Sequence, residues 1–264
     1  MVSGSNGLQL GVIGRPPLSM ALCALRTRDG GEARAQIESV AAAGYRWVQL
    51  DAAAPGVRAR ELSRSARRDL AALLRRCELG LSGLDLWIPE EHFALPEHAD
   101  RAVAATMQAI ALAADLATLT ASRGRVVSIR LPQAIADGVE RSLLDAAQRF
   151  DVRIADHAFP VREPASSDSP LGVGVDPAAV MMAGEDPAAI TARIGGRLAG
   201  PRLNDLDSAG GRVTPGHGRL DVEAYLAATS VAAWNGPLVV DLRGLTSSAE
   251  RAMIEVLGEW GMST

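Results

Sequence analysis

The chain has 264 residues, a length that suits one (β/α)8 barrel and predicts a single domain over residues 1–264. Hydrophobic residues make up 48% and charged residues 22% of the chain, which is the composition of a globular protein with a large core. The formal net charge of −4 argues against a nucleic-acid partner, because such partners require a basic face.

The sequence also carries signals about the compartment. The N-terminus has no basic region followed by an apolar one, as a signal peptide would, and polar residues interrupt every apolar run before the roughly 18 residues that span a bilayer. Cys23 and Cys77 show no CxxC spacing, so we expect them to be reduced and unpaired. The sequence therefore predicts a cytoplasmic protein without a membrane partner. Apolar helices such as residues 102–119 could support a homodimer.

Short apolar runs alternate with Ala-, Leu- and Arg-rich helical stretches along the chain. Repeated about eight times, this alternation is typical of a closed parallel barrel. The expected strands are residues 8–13, 47–50, 81–86, 126–131, 152–156, 171–175, 198–203 and 238–242. The expected helices are residues 32–43, 58–77, 96–122, 138–150, a segment beginning at 187, 221–233 and 247–260.

Prolines mark two places where this alternation changes. Residues 14–17 (GRPP) are expected to end the first strand, because proline cannot continue a strand ladder. Residues 157–170 contain Pro160, Pro164 and Pro170 and lack helical periodicity. The predicted fold class is therefore α/β, a (β/α)8 TIM barrel with the crossover after strand 5 shortened.

Four motifs occupy the last third of the chain. They are residues 176–187 (DPAAVMMAGEDP), 202–205 (RLND), 214–221 (TPGHGRLD) and 236–241 (GPLVVD). In this order they resemble the strand 6, strand 7, loop and strand 8 motifs of the xylose isomerase-like TIM barrels, the family of sugar phosphate isomerases and epimerases. The resemblance extends from about residue 8 to residue 260 and is specific only in these motifs.

The resemblance implies a site where the carboxyl ends of the strands meet. Members of the family hold one divalent metal there with Glu, Asp, His and Glu on strands 5 to 8. The corresponding residues are Asp156, Asp176, Arg202 and Asp241, and arginine has no lone pair to offer a metal. We therefore expect no cofactor, with Arg202 supplying the positive charge among the three aspartates. The alternative is a Mn, Mg or Zn ion held by Asp156, Asp176 and Asp241.

The resemblance also implies a small carbohydrate-like ligand. In an active enzyme, Asp156 and Asp241 would be the acid/base pair of a proton-transfer isomerisation, and Arg202 would stabilise the enediolate oxygen. The alternative is a non-catalytic sugar-binding or regulatory homologue that has lost its metal site. Six side chains are predicted to bind substrate: Gln49, Trp87, Arg130, Asp176, His217 and Arg243.

Several of these side chains also have a purely structural interpretation. Arg130 and Arg243 could form surface ion pairs, Trp87 could pack its loop, and His217 could be an exposed loop residue. His157 follows Asp156 directly, so strand alternation is expected to point it away from the barrel interior. Asp205 is expected to hold the loop after strand 7.

Overall fold

The computed structural model describes residues 15–25, 33–162, 169–245 and 248–261. Eight parallel strands form one sheet in the order β6-β5-β4-β3-β2-β1-β10-β7. These strands are β1 (Leu18–Ala21), β2 (Trp47–Asp51), β3 (Gly80–Asp85), β4 (Val126–Ile129), β5 (Arg153–Asp156), β6 (Leu171–Val173), β7 (Arg202–Leu203) and β10 (Leu238–Val240). A small antiparallel hairpin of β8 (Asp205–Leu206) and β9 (Arg212–Val213) follows β7.

The sheet closes into a cylinder where β6 meets the chain that leads into β7. Val173 forms a parallel bridge with Leu198, and the amide of Ala199 donates to the carbonyl of Val173 at 2.8 Å. A Cβ on Gly172 would lie 2.6 Å from the Cβ of Ala199, so only glycine allows this approach. The predicted (β/α)8 barrel is confirmed.

The first barrel strand differs from the prediction. The expected strand at residues 8–13 lies outside the described residues, and Leu18–Ala21 is the strand that pairs with β2 and β10. The GRPP segment was expected to follow the first strand, whereas its Pro16 and Pro17 come directly before β1. Proline is tolerated there, and the carbonyl of Pro17 accepts the amide of Leu238 at 2.9 Å.

Helices cover the outside of the barrel between most strands. They are α1 (Ala33–Ala42), α2 (Arg64–Arg76), α3 (Glu91–Ala94), α4 (Pro96–Thr120), α5 (Asp137–Phe150), α6 (Pro177–Met182), α7 (Pro187–Ile194), α8 (Val222–Val231) and α9 (Ala249–Glu259). The side chains of Ser63, Asp186 and Asp221 cap α2, α7 and α8 by accepting backbone amides. Residues 157–162 and 169–170 contain no helix, in agreement with a shortened crossover.

The longest helix, α4, contains a long apolar stretch. Within the described ranges it is the one helix that is long and apolar enough to cross a membrane, and half of its most apolar window is buried. Ala109, Ala113 and Leu116 lie on its buried face, and the helix packs against α2, α5 and β3. The apolar residues of α4 therefore serve its packing on the barrel.

Candidate functional site

A cavity of about 660 Å³ opens at the carboxyl ends of the strands, the end of a parallel barrel where sites form. Its charged and polar lining comprises Arg130, His157, Asp176, Arg202, Arg212 and Arg243, and Trp87 and Phe159 supply aromatic surface. Five predicted site residues therefore meet in one place: Trp87, Arg130, Asp176, Arg202 and Arg243. A larger depression of about 1150 Å³ lies beside α5 and the amino ends of β4 and β5, away from this end of the barrel.

Arg202 lies at the centre of the site, and 3% of it is exposed. Its Nη1 donates to Oδ2 of Asp241 at 2.9 Å, and its Nη2 donates to Oδ1 of Asp85 at 2.6 Å. The same Nη1 lies 3.7 Å from Oδ2 of Asp176. The hydroxyl of Tyr225 donates to the carbonyl of Arg202 at 2.9 Å, which fixes the backbone from which the guanidinium extends. One cation thus contacts three buried carboxylates.

Arg243 is the second cation of this cluster. Its Nη2 donates to Oδ2 of Asp241 at 2.6 Å, and its Nη1 donates to Oδ2 of Asp85 at 3.2 Å. Burial raises the pKa of Asp241, but Arg202 and Arg243 outweigh burial and hold that pKa well below its usual value. For Asp85, burial is stronger than the same two arginines, so its pKa is raised. Asp241 is therefore the firmly ionised acid of the pair.

Asp176 joins the strand cluster to the hairpin that follows β7. Its Oδ1 accepts from Nδ2 of Asn204 at 2.9 Å and from the amide of Ala179 at 3.2 Å, which caps α6. Arg212 on β9 places Nη2 3.3 Å from Oδ2 of Asp176. Asn204 and Arg212 were not predicted as site residues; Asn204 lies inside the RLND motif, whereas Arg212 lies in a glycine-rich loop that carries no comparable signal.

Asp156 lies outside the cavity, contrary to the prediction that it faces Arg202. Its Oδ1 accepts from the amides of Leu131 and Ala158, both at 3.0 Å, and its Oδ2 lies 3.9 Å from Nη1 of Arg162. Burial raises the pKa of Asp156 to about 6, against the lowering effect of these two amides and Arg162. Asp156 therefore holds the turns after β4 and β5 and does not meet Asp241.

His157 lines the cavity in its place, so the expectation that it points away from the interior is wrong. It is 5% exposed, and within the described ranges neither Nδ1 nor Nε2 has a hydrogen-bond partner. Burial, reinforced by Arg202 and Arg243, lowers the pKa of His157 well below its usual value, so the imidazole is neutral. A Cβ on Gly174 would lie 2.5 Å from the ring, so this glycine makes room for it.

Two predicted substrate-binding residues lie away from the cavity. Gln49 is buried inside the barrel, where its Nε2 donates to Oγ of Ser128 at 3.1 Å. His217 is on the surface, with 52% of its side chain exposed and Nε2 2.6 Å from Oε1 of Glu259. The structural interpretation of His217 as an exposed loop residue is therefore confirmed.

Arg130 lines the cavity and forms an ion pair with Glu90. Asp205 holds the loop after β7, as expected, by accepting the backbone amides of four residues. Asp85 was missed as a site residue, although it ends β3 and pairs in register with Asp51, the acid that ends β2.

The polar side chains at the carboxyl ends of the strands do not form a set of ligands that suits a divalent metal. Among the residues that the structure describes, no three His, Cys, Asp or Glu side chains are grouped so that they could hold a metal ion. Asp85 and Asp241 direct their oxygens at guanidinium groups. Arg202, at the position where the resemblance implies a histidine ligand, has no lone pair to donate.

Comparisons with known proteins support the fold but not a closer relationship. No family model matches the sequence, and no curated protein matches it. In contrast, 55 solved chains match the structure. A xylose isomerase domain protein from Planctomyces limnophilus is 14% identical with a TM-score of 0.67, covering 94% of this chain and 96% of that one.

Two further solved structures illustrate the range of this likeness. D-psicose 3-epimerase from Clostridium cellulolyticum H10 is 13% identical with a TM-score of 0.69, covering 94% of this chain and 100% of that one. A sugar phosphate isomerase/epimerase from Parabacteroides distasonis ATCC 8503 is 10% identical with a TM-score of 0.66, covering 99% of both chains. At such identities the likeness establishes a shared fold, and function has to be argued from the site.

Proposed function

Because the chain has the fold of the xylose isomerase-like sugar isomerases and epimerases, we propose that it binds a small carbohydrate-like ligand in the cavity at the carboxyl ends of its strands. The observation that supports this best is the buried cluster of Arg202, Arg243, Asp85, Asp176 and Asp241 at that end. Burying so many charges is costly for stability alone, and such clusters are typical of binding and catalytic sites.

The second part of the proposal is that binding needs no divalent metal. Arg202 lies between Asp85, Asp176 and Asp241 and supplies the positive charge that these carboxylates require. A metal ion that took these carboxylates would leave the buried guanidinium of Arg202 without a partner. Breaking a buried ion pair in this way costs about 3–5 kcal/mol. The protein is then a metal-independent sugar-binding homologue of the metal-dependent enzymes.

The positions of the two predicted catalytic acids favour binding over catalysis. Asp156 does not line the cavity, and Asp241 accepts guanidinium hydrogen bonds on both oxygens. Its lowered pKa makes it a weak base. An acid/base pair of Asp156 and Asp241 on opposite sides of a substrate is therefore not supported by the geometry.

A second function, proton transfer without a metal, is favoured by one observation. His157 lines the cavity as a neutral imidazole, and both of its nitrogens lack a partner in the described part of the chain. The imidazole has a free lone pair to accept a proton, and the guanidinium groups of the two arginines beside it would stabilise an enediolate oxygen, although burial and the same two arginines lower its pKa and weaken it as a base. In this second function His157 replaces the predicted carboxylate pair.

Exchange of ligand protons with solvent separates these functions. The purified protein is incubated in D₂O with a panel of ketoses and aldoses, with EDTA or with added Mn²⁺, and loss of the proton next to the carbonyl is followed by NMR. We expect binding without exchange in both conditions. Metal-independent exchange that disappears in His157→Asn would establish the second function. Exchange that requires Mn²⁺, or a stoichiometric divalent ion in elemental analysis of the purified protein, would contradict the metal-free proposal.

A further inference from the structure

We propose that the ligand of this cavity is a sugar acid, a small polyhydroxy compound that carries one carboxylate. This inference rests on the proposed binding function and adds to it the chemical class of the ligand. It depends on which charges face the cavity, which polar atoms there lack partners, and how much positive charge is in surplus.

The charged surface that a ligand meets is cationic. Among the residues that the structure describes, four arginines line the cavity and Asp176 is the one acid in its lining. Asp85 and Asp241 are 1% and 2% exposed and do not line it, because the guanidinium groups of Arg202 and Arg243 cover their oxygens. A ligand oxyanion would therefore contact guanidinium groups first, and these match a carboxylate in shape.

The polar atoms without partners are mostly donors. Nη1 of Arg212 and Nε of Arg202 are buried and have no hydrogen-bond partner within the described ranges. Buried N–H groups without an acceptor are costly, so a ligand rich in acceptor oxygens would lower the free energy of the site. His157 differs, because a neutral imidazole donates through one nitrogen and accepts through the other. The imidazole of His157 can therefore hydrogen-bond a ligand hydroxyl group. The half-exposed ring of Trp87 can pack against the apolar face of a polyol.

The charge balance favours one negative charge on the ligand over two. The four lining arginines are matched by four acids that they contact: Asp85, Asp176, Asp241 and Glu90. With no surplus positive charge among these described residues, a phosphate dianion would be repelled by carboxylates bound to the same guanidinium groups more strongly than a monoanion would. A carboxylate introduces half that charge and still accepts two N–H groups.

Titration calorimetry on the full-length protein tests this inference with three matched sets of compounds. The first set contains the aldonates threonate, ribonate and gluconate. The second contains the corresponding neutral alditols, and the third contains the corresponding alditol phosphates. We expect at least one aldonate to bind ten or more times tighter than its alditol and its phosphate. Equal or tighter binding of the alditol or the phosphate would overturn the inference while leaving the proposed sugar-binding function in place.

Two variants of lining arginines then test which side chain contacts the carboxylate of the ligand. We expect Arg212→Met to weaken aldonate binding at least ten times more than it weakens alditol binding, because only the aldonate loses a charge-assisted contact. Arg130→Met serves as a second lining variant, and it should reduce the same preference if Arg212→Met does not fold. The control is Arg34→Met on α1, because the side chain of Arg34 is 55% exposed. This variant should bind every compound as the parent protein does. An undiminished aldonate preference in both lining variants would overturn the inference, and binding of no compound by the parent would overturn the proposed function as well.

Discussion

Arg202 is the residue on which the candidate site depends, because its guanidinium separates carboxylates that would otherwise repel one another. It contacts Asp85, Asp176 and Asp241 and is 3% exposed. Removing one partner from a buried ionic cluster leaves uncompensated charge, which is far more damaging than the loss of a surface ion pair. A single substitution should therefore show how much the fold depends on this site.

We expect Arg202→Met to lower the free energy of unfolding by about 3–5 kcal/mol. The loss should be larger at pH 8 than at pH 5, because aspartates without their cation have raised pKa values and become neutral as the pH falls. Urea unfolding followed by circular dichroism measures both values. Arg34→Met is the surface control, with an expected change within about 0.5 kcal/mol. A loss below about 1 kcal/mol at both pH values would show that the cluster is not coupled to folding.

Asp156 gives a second prediction, since burial raises its pKa from 3.8 to about 6. The folded state therefore keeps the proton more tightly than the unfolded chain does, and this contribution to stability is lost as the pH rises from about 4 through 6. Asp156→Asn keeps the acceptor oxygen and does not titrate. Its free energy of unfolding relative to the parent should rise by roughly 2.4 kcal/mol between pH 4 and pH 7. A difference that stays flat between pH 4 and pH 7 would refute the raised pKa of Asp156.

At the scale of elements, Asp205 organises the loop that follows the β8–β9 hairpin. Its Oδ1 accepts the amides of Leu206 and Leu220 at 2.8 and 2.9 Å, and its Oδ2 accepts those of Gly216 and Gly218 at 3.1 and 2.9 Å. One buried carboxylate thus satisfies the amide of its neighbour on β8 and three backbone donors of the segment without regular structure at residues 216–220. The same segment leads into α8, whose Tyr225 holds the carbonyl of Arg202.

We expect Asp205→Ala to lower the free energy of unfolding by about 3 kcal/mol, because several buried amides lose their acceptor. Asp186→Ala removes an exposed helix cap and should cost only about 1 kcal/mol, so it is the matched control. Hydrogen exchange should quicken in residues 214–220 of the Asp205 variant and stay unchanged in α5. Equal losses in the two variants would show that the loop does not depend on Asp205.

The contrast between Asp156 and His157 shows which part of the site the sequence could predict. The positions of strand ends were readable from the apolar runs, and Asp176, Arg202 and Asp241 lie at the mouth as expected. The direction in which the side chains of β5 point was predicted wrongly, because matching Asp156 to a metal ligand placed it inward. Val152 and Ile154 share its face by strand alternation, and their large apolar side chains were a signal that this face turns toward the helices.

Other elements were missed for different physical reasons. Leu18–Ala21 is only four residues long and follows two prolines, so its sequence resembles a turn followed by a helix. Arg212 comes from a two-residue strand in a glycine-rich segment, and only the folded hairpin brings it within 3.3 Å of Asp176. Long-range contacts of this kind leave no periodic pattern in the sequence.

At the scale of the whole molecule, the barrel depends on one narrow seam. In the described residues, β6 and the residues after it meet the chain around β7 through the bridge of Val173 with Leu198 and the hydrogen bonds that Ala199 and Arg202 donate to Val173 and Val175. Beyond the close approach to Ala199, a Cβ on Gly172 would lie 2.9 Å from the carbonyl oxygen of Arg197. Since β7 carries Arg202, the geometry of the seam and that of the cavity are linked.

We expect Gly172→Val to lower the free energy of unfolding by more than about 2 kcal/mol, because the side chain overpacks the seam. Hydrogen exchange should increase in residues 198–203, and ligand affinity should fall because Arg202 shifts. Gly196→Ala is the neighbouring control, since a Cβ there meets nothing within 4 Å. Unchanged exchange at residues 198–203 in Gly172→Val would show that the seam tolerates the added volume.

Trp87 has a practical consequence for all of these experiments. The chain has four tryptophans, and among the residues described as lining the cavity Trp87 is the only one of them. Its ring is half-exposed and lies 5.1 Å from the guanidinium carbon of Arg243. A molecule that settles against it would displace water and alter the nearby charge, so the emission spectrum should shift on binding. Ligand binding can therefore be followed by the intrinsic fluorescence of the protein, and Trp87→Phe should abolish the spectral shift.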